Sequence, residues 1–464
     1  MGAVDKWWVF PGFKVERVAT GFDLPVNLAF KPEPSPDAGA PFLYLTELYN
    51  GVKVMTNDGT VHDFAPDLLN YQADYDIPGS GESGVTGLCV DPKSGDVYAS
   101  LIYTRNGQVL GKVVRMSTSD GLKMTSIDTV IEGIPSTTKA HQIQAVTFGP
   151  DGMLYVNVAD GGNADAAQDM NDLRGKVLRL NVDGSIPADN PTGGSPVYAY
   201  GFRNPFGGTW RASDRSLYVS INGPDRDDVV ASVQPGSNHG WPVSMRENAL
   251  FVWEYTQAPT ALAFAEVGVF GPEYEGHLFV ALFGNSYKRG RDVKGKKIVK
   301  MKLHPAGDGV ETYDEFVTYL GDGPASPCGL AFGPDGMYFT DLHGEPGNGD
   351  FHGAGSIYRV TPVAKHATSE LDGVILAESG NYELVESYVY FPPDSVDWSH
   401  FTKSGRKHSN PRLGEGVLWN ITVGDKTIEN AAWSFSEPKS DVAHIKDYVS
   451  FAYGETSLRT ERSG

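Results

Sequence analysis

The chain reads as all-β, a six-bladed β-propeller followed by a small antiparallel β domain, and three observations carry that reading. First, 55 Gly, 30 Pro, 22 Tyr and 22 Phe among 464 residues favour turns and strands over helix bundles, because Gly and Pro punctuate the chain and aromatic residues suit a pleated, half-buried surface. Second, an apolar strand, a Pro/Asp/Gly turn and an apolar-aromatic strand recur six times through residue 360, at a spacing of about 60 residues. Third, KVVRM (112–116), KVLRL (176–180), KIVKM (297–301) and SIYRV (356–360) each alternate charged and apolar residues as a further strand does.

Taken in order, FKVERVAT (13–20) alternates with period two but has no unit of its own, so it is assigned to the blade ending at SIYRV. That closure hides strand edges. The units are NLAF (27–30) with FLYLTEL, GLCVDPKSGDVYASLIY (87–103), AVTFGPDGMLYVNVA (145–159), GTWRASDRSLYVSI (208–221), ALAF (261–264) with GHLFVALF (276–283), and GLAFGPDGMYFTDL (329–342). Four-stranded units of this kind are propeller blades, and loops from all of them gather at the mouth of a central channel. After TPVAKHATSELDG (361–373) the repeat stops. The alternation in VILAES, VLWNITV and IKDYVSFAY then predicts a second, small β domain. The expected boundaries are 1–364 for the propeller and 365–464 for the β domain, with Tyr390, Trp433 and Phe451 in the core of the latter.

The formal charge of −20 excludes a polyanion partner, because phosphate neutralisation needs clustered Lys and Arg. Nucleic acid is not expected. Only Cys89 and Cys328 are present, each in an apolar strand-like run, which predicts buried free thiols rather than a disulfide framework. No apolar run approaches the roughly 18 residues a membrane helix needs. MGAVDKWWVF lacks the parts of a signal peptide, so no membrane span is expected, and nothing in the sequence sets an oligomeric state.

Candidate chemistry lies between His141 and Pro242. His141 precedes one blade's first strand and Arg203-Asn204 precede the next, so equivalent loops carry them toward one mouth. Histidine suits proton abstraction from a sugar hydroxyl near neutral pH, although a loop histidine satisfied by its neighbours fits the same spacing. Gly223-Pro224 could offer two backbone carbonyls to a hard cation, or could be a plain turn. Asp227-Asp228 read as solvated loop charges.

The ordered succession HQ…FGPDGMLYVNVADGG…AAQDMNDLRGKVLRLNVDGSIPADNP…YGFRNPFG…NGPDRDD…GSNHGWP resembles the soluble quinoprotein glucose/sorbosone dehydrogenase family over roughly residues 13–362. That resemblance implies a six-bladed propeller holding pyrroloquinoline quinone and calcium over its channel, and oxidation of an aldose anomeric hydroxyl to the lactone. By matching motif it implies His141 as the base, Asp160 orienting it, Arg203, Asn204 and Asn222 at the quinone, Gly223 and Pro224 at the calcium, and Glu82 with Gln142 near the substrate entrance. Of two candidates for the quinone lysine, Lys288 and Lys297, the family pattern favours Lys297. The family role implies an extracytoplasmic or secreted location, whereas Met1 as a native start implies the cytoplasm.

Several positions depart from the family. Ile143-Gln144-Ala145 stand where small residues and Arg are usual, Val229 and Ala231 replace polar residues, and 323–336 lack the arginines that clamp the quinone carboxylates. Three functions therefore stay open. They are a quinone-dependent sugar dehydrogenase acting on a sugar-like substrate, a cofactor-independent hydrolase, lactonase, isomerase or cyclase taking a polyol or lactone in the same cavity, and a non-catalytic binding propeller. The last hundred residues resemble a β-domain family of unknown function filed under a nucleotidyltransferase label, on GVILAES, YVYFPPDSV, AAWSFSEP and IKDYVSF. Asn410-Pro411-Arg412 stands where that family has a Cys-Pro turn.

Overall fold

The computed structural model describes residues 6–71, 82–136, 140–285, 289–344, 352–363, 366–386, 388–452 and 458–463. They form two compact units, Val15–Thr361 with the N-terminal residues to Phe10, and Pro362–Gly464 with Pro11–Lys14.

The first unit is six antiparallel sheets, here blades 1 to 6. Their innermost strands are Pro25–Phe30, Val85–Val90, Ile143–Phe148, Pro205–Trp210, Pro259–Phe264 and Pro327–Gly333. Each contacts the next in that order, and the last returns to the first, so the ring is closed. Phe13–Phe22 is the outer strand of blade 6, which joins the two ends of the ring by hydrogen bonds rather than by packing alone.

Trp7–Val9 adds a fifth strand to blade 5, opposite Val317–Tyr319, which the repeat pattern did not reveal. Trp7 explains it. Its ring is buried against Tyr319, Phe339 and Tyr358, with centroids 5.2, 5.2 and 5.7 Å away. Apolar clusters fill the other gaps between blades, for example Phe64 with Leu88 between blades 1 and 2 and Tyr218 with Leu278 between blades 4 and 5.

All six innermost strands carry a register shift against their second strands, at 25/27, 85/88, 143/146, 205/207, 259/262 and 327/330. A bulge leaves a backbone N–H without its ladder partner. In blades 1, 2, 4 and 6 a small hydroxyl on the second strand takes it up: Asn27 N–H donates to Thr46 Oγ1 at 3.1 Å, Gly87 to Ser100 Oγ at 2.8 Å, Gly207 to Ser220 Oγ at 2.9 Å and Gly329 to Thr340 Oγ1 at 2.8 Å. The same layer binds blade to blade. Ser220 Oγ donates to Thr260 O, Thr260 Oγ1 to Cys328 O at 2.8 Å, Thr86 Oγ1 to Ile143 O at 2.8 Å and Asn157 Nδ2 to Gly207 O at 3.0 Å. Neighbouring carbonyls come so close that a β-carbon on Gly87 would lie 2.2 Å from Gln144 O, and one on Gly207 2.3 Å from Thr260 O.

The two cysteines are free thiols, with Cys328 buried and Cys89 partly so, and burial pushes the Cys328 thiol up to about 12. No helix in the described residues is long and apolar enough to cross a membrane.

The second unit is a four-stranded meander, Phe401–Asn410, Gly414–Val423, Lys426–Ser434 and Val449–Phe451, with a three-stranded sheet and a hairpin. Leu371, Phe391, Phe401, Ile421 and Phe451 form its core. Tyr390 is buried beside it, its hydroxyl accepting from Trp433 Nε1 at 3.0 Å.

Gly207→Ala forces a β-carbon onto a backbone carbonyl, whereas Ser220→Ala leaves two buried backbone groups unpaired, at roughly 1–3 kcal/mol per group. Both variants are expected to lower the urea unfolding midpoint, Gly207→Ala more steeply. A midpoint unchanged in Ser220→Ala would show that the hydroxyl layer does not hold the blades.

Candidate functional site

Blade 3 supplies the centre. Its first strand starts at Ile143 and its second ends at Val158, opposite each other in the antiparallel pair, so His141 and Asp160 leave the sheet at one end. His141 Nδ1 and Asp160 Oδ1 lie 2.6 Å apart. His141 holds a left-handed backbone with φ 59°, a conformation that costs a residue with a β-carbon about 1 kcal/mol or more. Its N–H donates to Glu82 Oε2 at 2.9 Å, and its carbonyl accepts from Gly161 N at 3.1 Å. Two hydrogen bonds on one backbone residue hold the ring where the dyad needs it.

Asp160 is 3% exposed, and its oxygens accept from Gly162 N–H at 2.9 Å and Trp241 Nε1–H at 3.0 Å as well as facing the imidazole. Burial by itself raises a carboxyl. Here the hydrogen bond and charge of His141, with the bonds from Gly162 and Trp241, outweigh burial and hold Asp160 below the usual carboxylate range. An ionised Asp160 can only accept, so Nδ1 carries a proton, and it is Nε2 that holds the lone pair whenever the ring is neutral.

Blades 2 to 4 converge on the same end. Glu82, before blade 2, accepts from Asn204 Nδ2 at 2.9 Å with the oxygen that holds His141. Arg203 accepts from Asp160 N–H at 2.8 Å through its carbonyl. Its Nη1 donates to Asn222 O and Gly223 O, both at 2.9 Å, and its guanidinium lies over the Trp241 ring, 5.7 Å from the centroid. Burial lowers the Arg203 pKa from its ordinary value, and Asp160, Glu82 and Asp228 oppose that. Asn222 Nδ2 donates to Pro259 O at 2.9 Å. Gly223 is required by space, because a β-carbon there would lie 2.0 Å from Arg226 O, and Pro224 continues the same turn.

The structure thus brings together Glu82, His141, Asp160, Arg203, Asn204, Asn222 and Gly223. Gln142 is buried beneath them, its side chain accepting from Gly84 N–H at 3.1 Å and donating to Thr86 Oγ1 at 3.2 Å. It holds the Glu82 loop and faces no entrance. Lys297 is not brought to the group, since its ammonium pairs with Glu315 and donates to Val293 O at 3.2 Å. Lys288 lies outside the described residues.

Asp227 and Asp228 correct the expectation of two solvated charges. Asp227 does form a surface pair with Arg246 at 2.7 Å. Asp228 is 0% exposed and caps three backbone N–H groups, Gly223 at 2.7 Å, Gln257 at 2.6 Å and Ala258 at 2.8 Å. Burial raises its carboxyl against those bonds. Asp227 lies in the turn before the strand with a left-handed backbone, φ 61°, while Asp228 begins the strand and is buried.

Two residues of this end were not singled out from the sequence. Trp241 is one, and its indole had no visible role until the loop 234–242 was placed against blade 3. Lys296 is the other. Its left-handed backbone, φ 54°, precedes a blade 5 strand, and its ammonium donates to Gly323 O at 3.1 Å, beside the stretch that lacks arginines. Lys296 precedes the strand and Lys297 begins it, and their ammoniums reach different partners, Gly323 O and Glu315.

The chemistry of the group suits a flat, anionic ligand beside Arg203, whose guanidinium already donates to Gly223 O. Asn204 Oδ1 is buried without a partner among the described residues, and Arg203 is a half-buried cation that an anion would complement. Leu24, Val26, Leu48, Cys328 and Leu342, with Phe206 and Phe283 packed on them, form a buried apolar cluster drawn from blades 1, 4, 5 and 6. Among the described residues no cluster of three or more His, Cys, Asp or Glu could hold a metal ion by itself. A cation here would use the carbonyls at 223 and 224 with oxygens of a bound partner.

The loop that carries Trp241 also carries His239, which is buried, stacked on Phe202 at 4.2 Å and 3.1 Å from Ser237 Oγ through Nε2. Burial lowers its pKa from 6.5 to about 4. The unfolded chain therefore takes up this proton below its ordinary value of 6.5 and the folded chain only near 4. Stability is expected to fall as pH drops through that window, by roughly 3 kcal/mol at most. His239→Gln should flatten this part of the stability profile in urea titrations between pH 7 and pH 4, and an unaltered slope would show that His239 is not its source.

Comparison with known proteins adds to this geometry. A family model described as Glucose / Sorbosone dehydrogenase matches residues 45–304, and one described as a domain of unknown function matches residues 359–461. The chain is 28% identical over 249 residues to the aldose sugar dehydrogenase YliI of Escherichia coli, covering 48% of this chain and 63% of that one. It is 30% identical over 197 residues to quinoprotein glucose dehydrogenase B of Acinetobacter calcoaceticus, covering 38% and 39%. Both matches span less than two thirds of the relative. The PQQ-bound form of aldose sugar dehydrogenase from Streptomyces coelicolor superposes with a TM-score of 0.56 at 25% identity, covering 76% of this chain and all of that one.

Proposed function

We propose, because the chain belongs to the glucose/sorbosone dehydrogenase family, that it oxidises a hydroxyl of a sugar-like substrate with a bound quinone, and that His141 is the base. The observation that carries this reading is the 2.6 Å His141–Asp160 contact, with Arg203 joined to Asp160 through the backbone and Asn204 bonded to Glu82. When bound, pyrroloquinoline quinone supplies the two-electron acceptor and calcium polarises it as a Lewis acid. Arg203, Asn204 and Asn222 would hold the quinone, and the carbonyls of Gly223 and Pro224 the cation.

The chain's own groups do the rest. His141 Nε2 takes the hydroxyl proton of the substrate while hydride leaves the same carbon, so the alcohol loses two electrons and two hydrogens. An aldose reacting at its anomeric carbon becomes the lactone. Asp160 keeps Nδ1 protonated and stabilises the imidazolium that forms. Glu82 fixes both the His141 backbone and the Asn204 amide, coupling the base to the cofactor side. The cation beside the arginine-poor stretch is Lys296, arriving from the neighbouring blade.

Purified protein supplied with pyrroloquinoline quinone and calcium is expected to reduce a dye with aldoses and to melt at a higher temperature. His141→Ala should lower turnover by about 10²–10⁴ while keeping the melting shift. Turnover that needs no quinone, but still needs His141, would replace this reading with a hydrolase or isomerase. Neither turnover nor a melting shift would leave a binding propeller.

A further inference from the structure

The geometry points to Trp241 as the positioning residue of this site, a single indole that sets both the carboxylate behind the base and the guanidinium beside it. The inference rests on the reading of His141 as the base and deepens it. Trp241 comes from the connection between the third and fourth strands of blade 4, yet it acts in blade 3. Its Nε1–H donates to Asp160 Oδ2 at 3.0 Å, on the oxygen opposite the one facing His141. Its ring underlies Arg203, 5.7 Å from the guanidinium carbon.

The loop is strapped into that position. Trp241 N–H donates to Gly201 O at 3.0 Å, and Gln168 Nε2 donates to Trp241 O at 2.6 Å and Asn238 Oδ1 at 3.0 Å. Asn238 returns a bond to Gln168 Oε1 at 3.0 Å and pairs with Tyr200 in a parallel bridge. Gly201, at φ 81°, is needed for the approach, because a β-carbon would lie 2.2 Å from Asn238 Oδ1. Gln168 is itself held through a buried ammonium, Lys176, which donates to Ala166 O at 2.8 Å, Ala167 O at 3.1 Å and Arg174 O at 2.7 Å. Two loops and two blades thus converge on one ring.

The physical consequence has a definite sign. A carboxylate that gives one oxygen to Trp241 offers less charge to the imidazole on the other. Removing the indole N–H strengthens the Asp160 hold on Nδ1–H, which favours proton abstraction but makes the imidazolium that forms harder to discharge, so that return of the base slows turnover. Removing the ring also frees the Arg203 side chain, which weakens anion binding beside it.

Trp241→Phe keeps the ring and loses the donor, Trp241→Leu loses both, and Gln168→Leu releases the strap with the indole intact. In Trp241→Phe the far-downfield proton resonance of the His141 Nδ1–H should move further downfield, kcat should fall about tenfold and KM should stay within twofold. Trp241→Leu should also bind quinone more weakly, read by fluorescence quenching. Gln168→Leu should shift the same resonance in the same direction by less, and it decides the matter if the tryptophan variants do not fold. An unmoved resonance in folded Trp241→Phe, or in Gln168→Leu, would overturn the inference. A silent dye assay in every chain, with the resonance still shifting, would overturn the dehydrogenase reading and leave the role of Trp241 standing.

Discussion

The bulge at the top of every innermost strand is the constraint on which the rest depends. Six strands can meet around one axis only if each ends without clashing with the next. The bulge turns the strand and strands a backbone N–H, and in four of the six blades the second strand answers with a hydroxyl, as Ser220 does for Gly207. The same oxygen donates onward to the next blade at Thr260 O. Backbone satisfaction within a blade and adhesion between blades are therefore one set of bonds. Small residues at Gly87, Gly207 and Gly329 follow from it, because a neighbour's chain occupies the space of a β-carbon.

Above this layer the loops need little strength of their own. His141, Arg203 and Glu82 leave strands already held by it, and they share acceptors rather than each finding separate partners. Glu82 serves His141 and Asn204 with one oxygen, and Asp160 serves His141 and Trp241 with two. Sharing makes the group rigid, and it makes its charges interdependent. Asp160, Glu82 and Asp228 all oppose the effect of burial on Arg203, so the guanidinium stays charged in a place that disfavours charge. An anionic ligand placed there would meet a cation already oriented.

Much of the fold was legible from periodicity. The six repeats, the return of FKVERVAT to the last blade and the all-β second unit follow from alternation and turn residues, which are local signals. The extra strand at Trp7–Val9 was not legible, because three residues carry too little pattern and their pairing is decided by where the Trp7 ring is buried. Within the site, His141, Arg203 and Asn204 could be named because each sits at a strand end whose place in the repeat is known, whereas Asp160 was named by the family resemblance. Lys297 could be named but not oriented, and its ammonium pairs with Glu315 while that of Lys296 donates to Gly323 O.

The sequence by itself determined the class of the fold, the number of blades and the loops that carry polar chemistry, since all three depend on residues close together along the chain. Only the tertiary structure decided that Asp228 is a buried cap, that Gln142 supports a loop and that Trp241 reaches Asp160. Those outcomes depend on contacts across 81 residues of chain in the case of Trp241 and Asp160, or on burial made by a neighbouring blade. A pattern that repeats along a strand cannot encode them, because the geometry that brings the partners together exists only once the ring has closed.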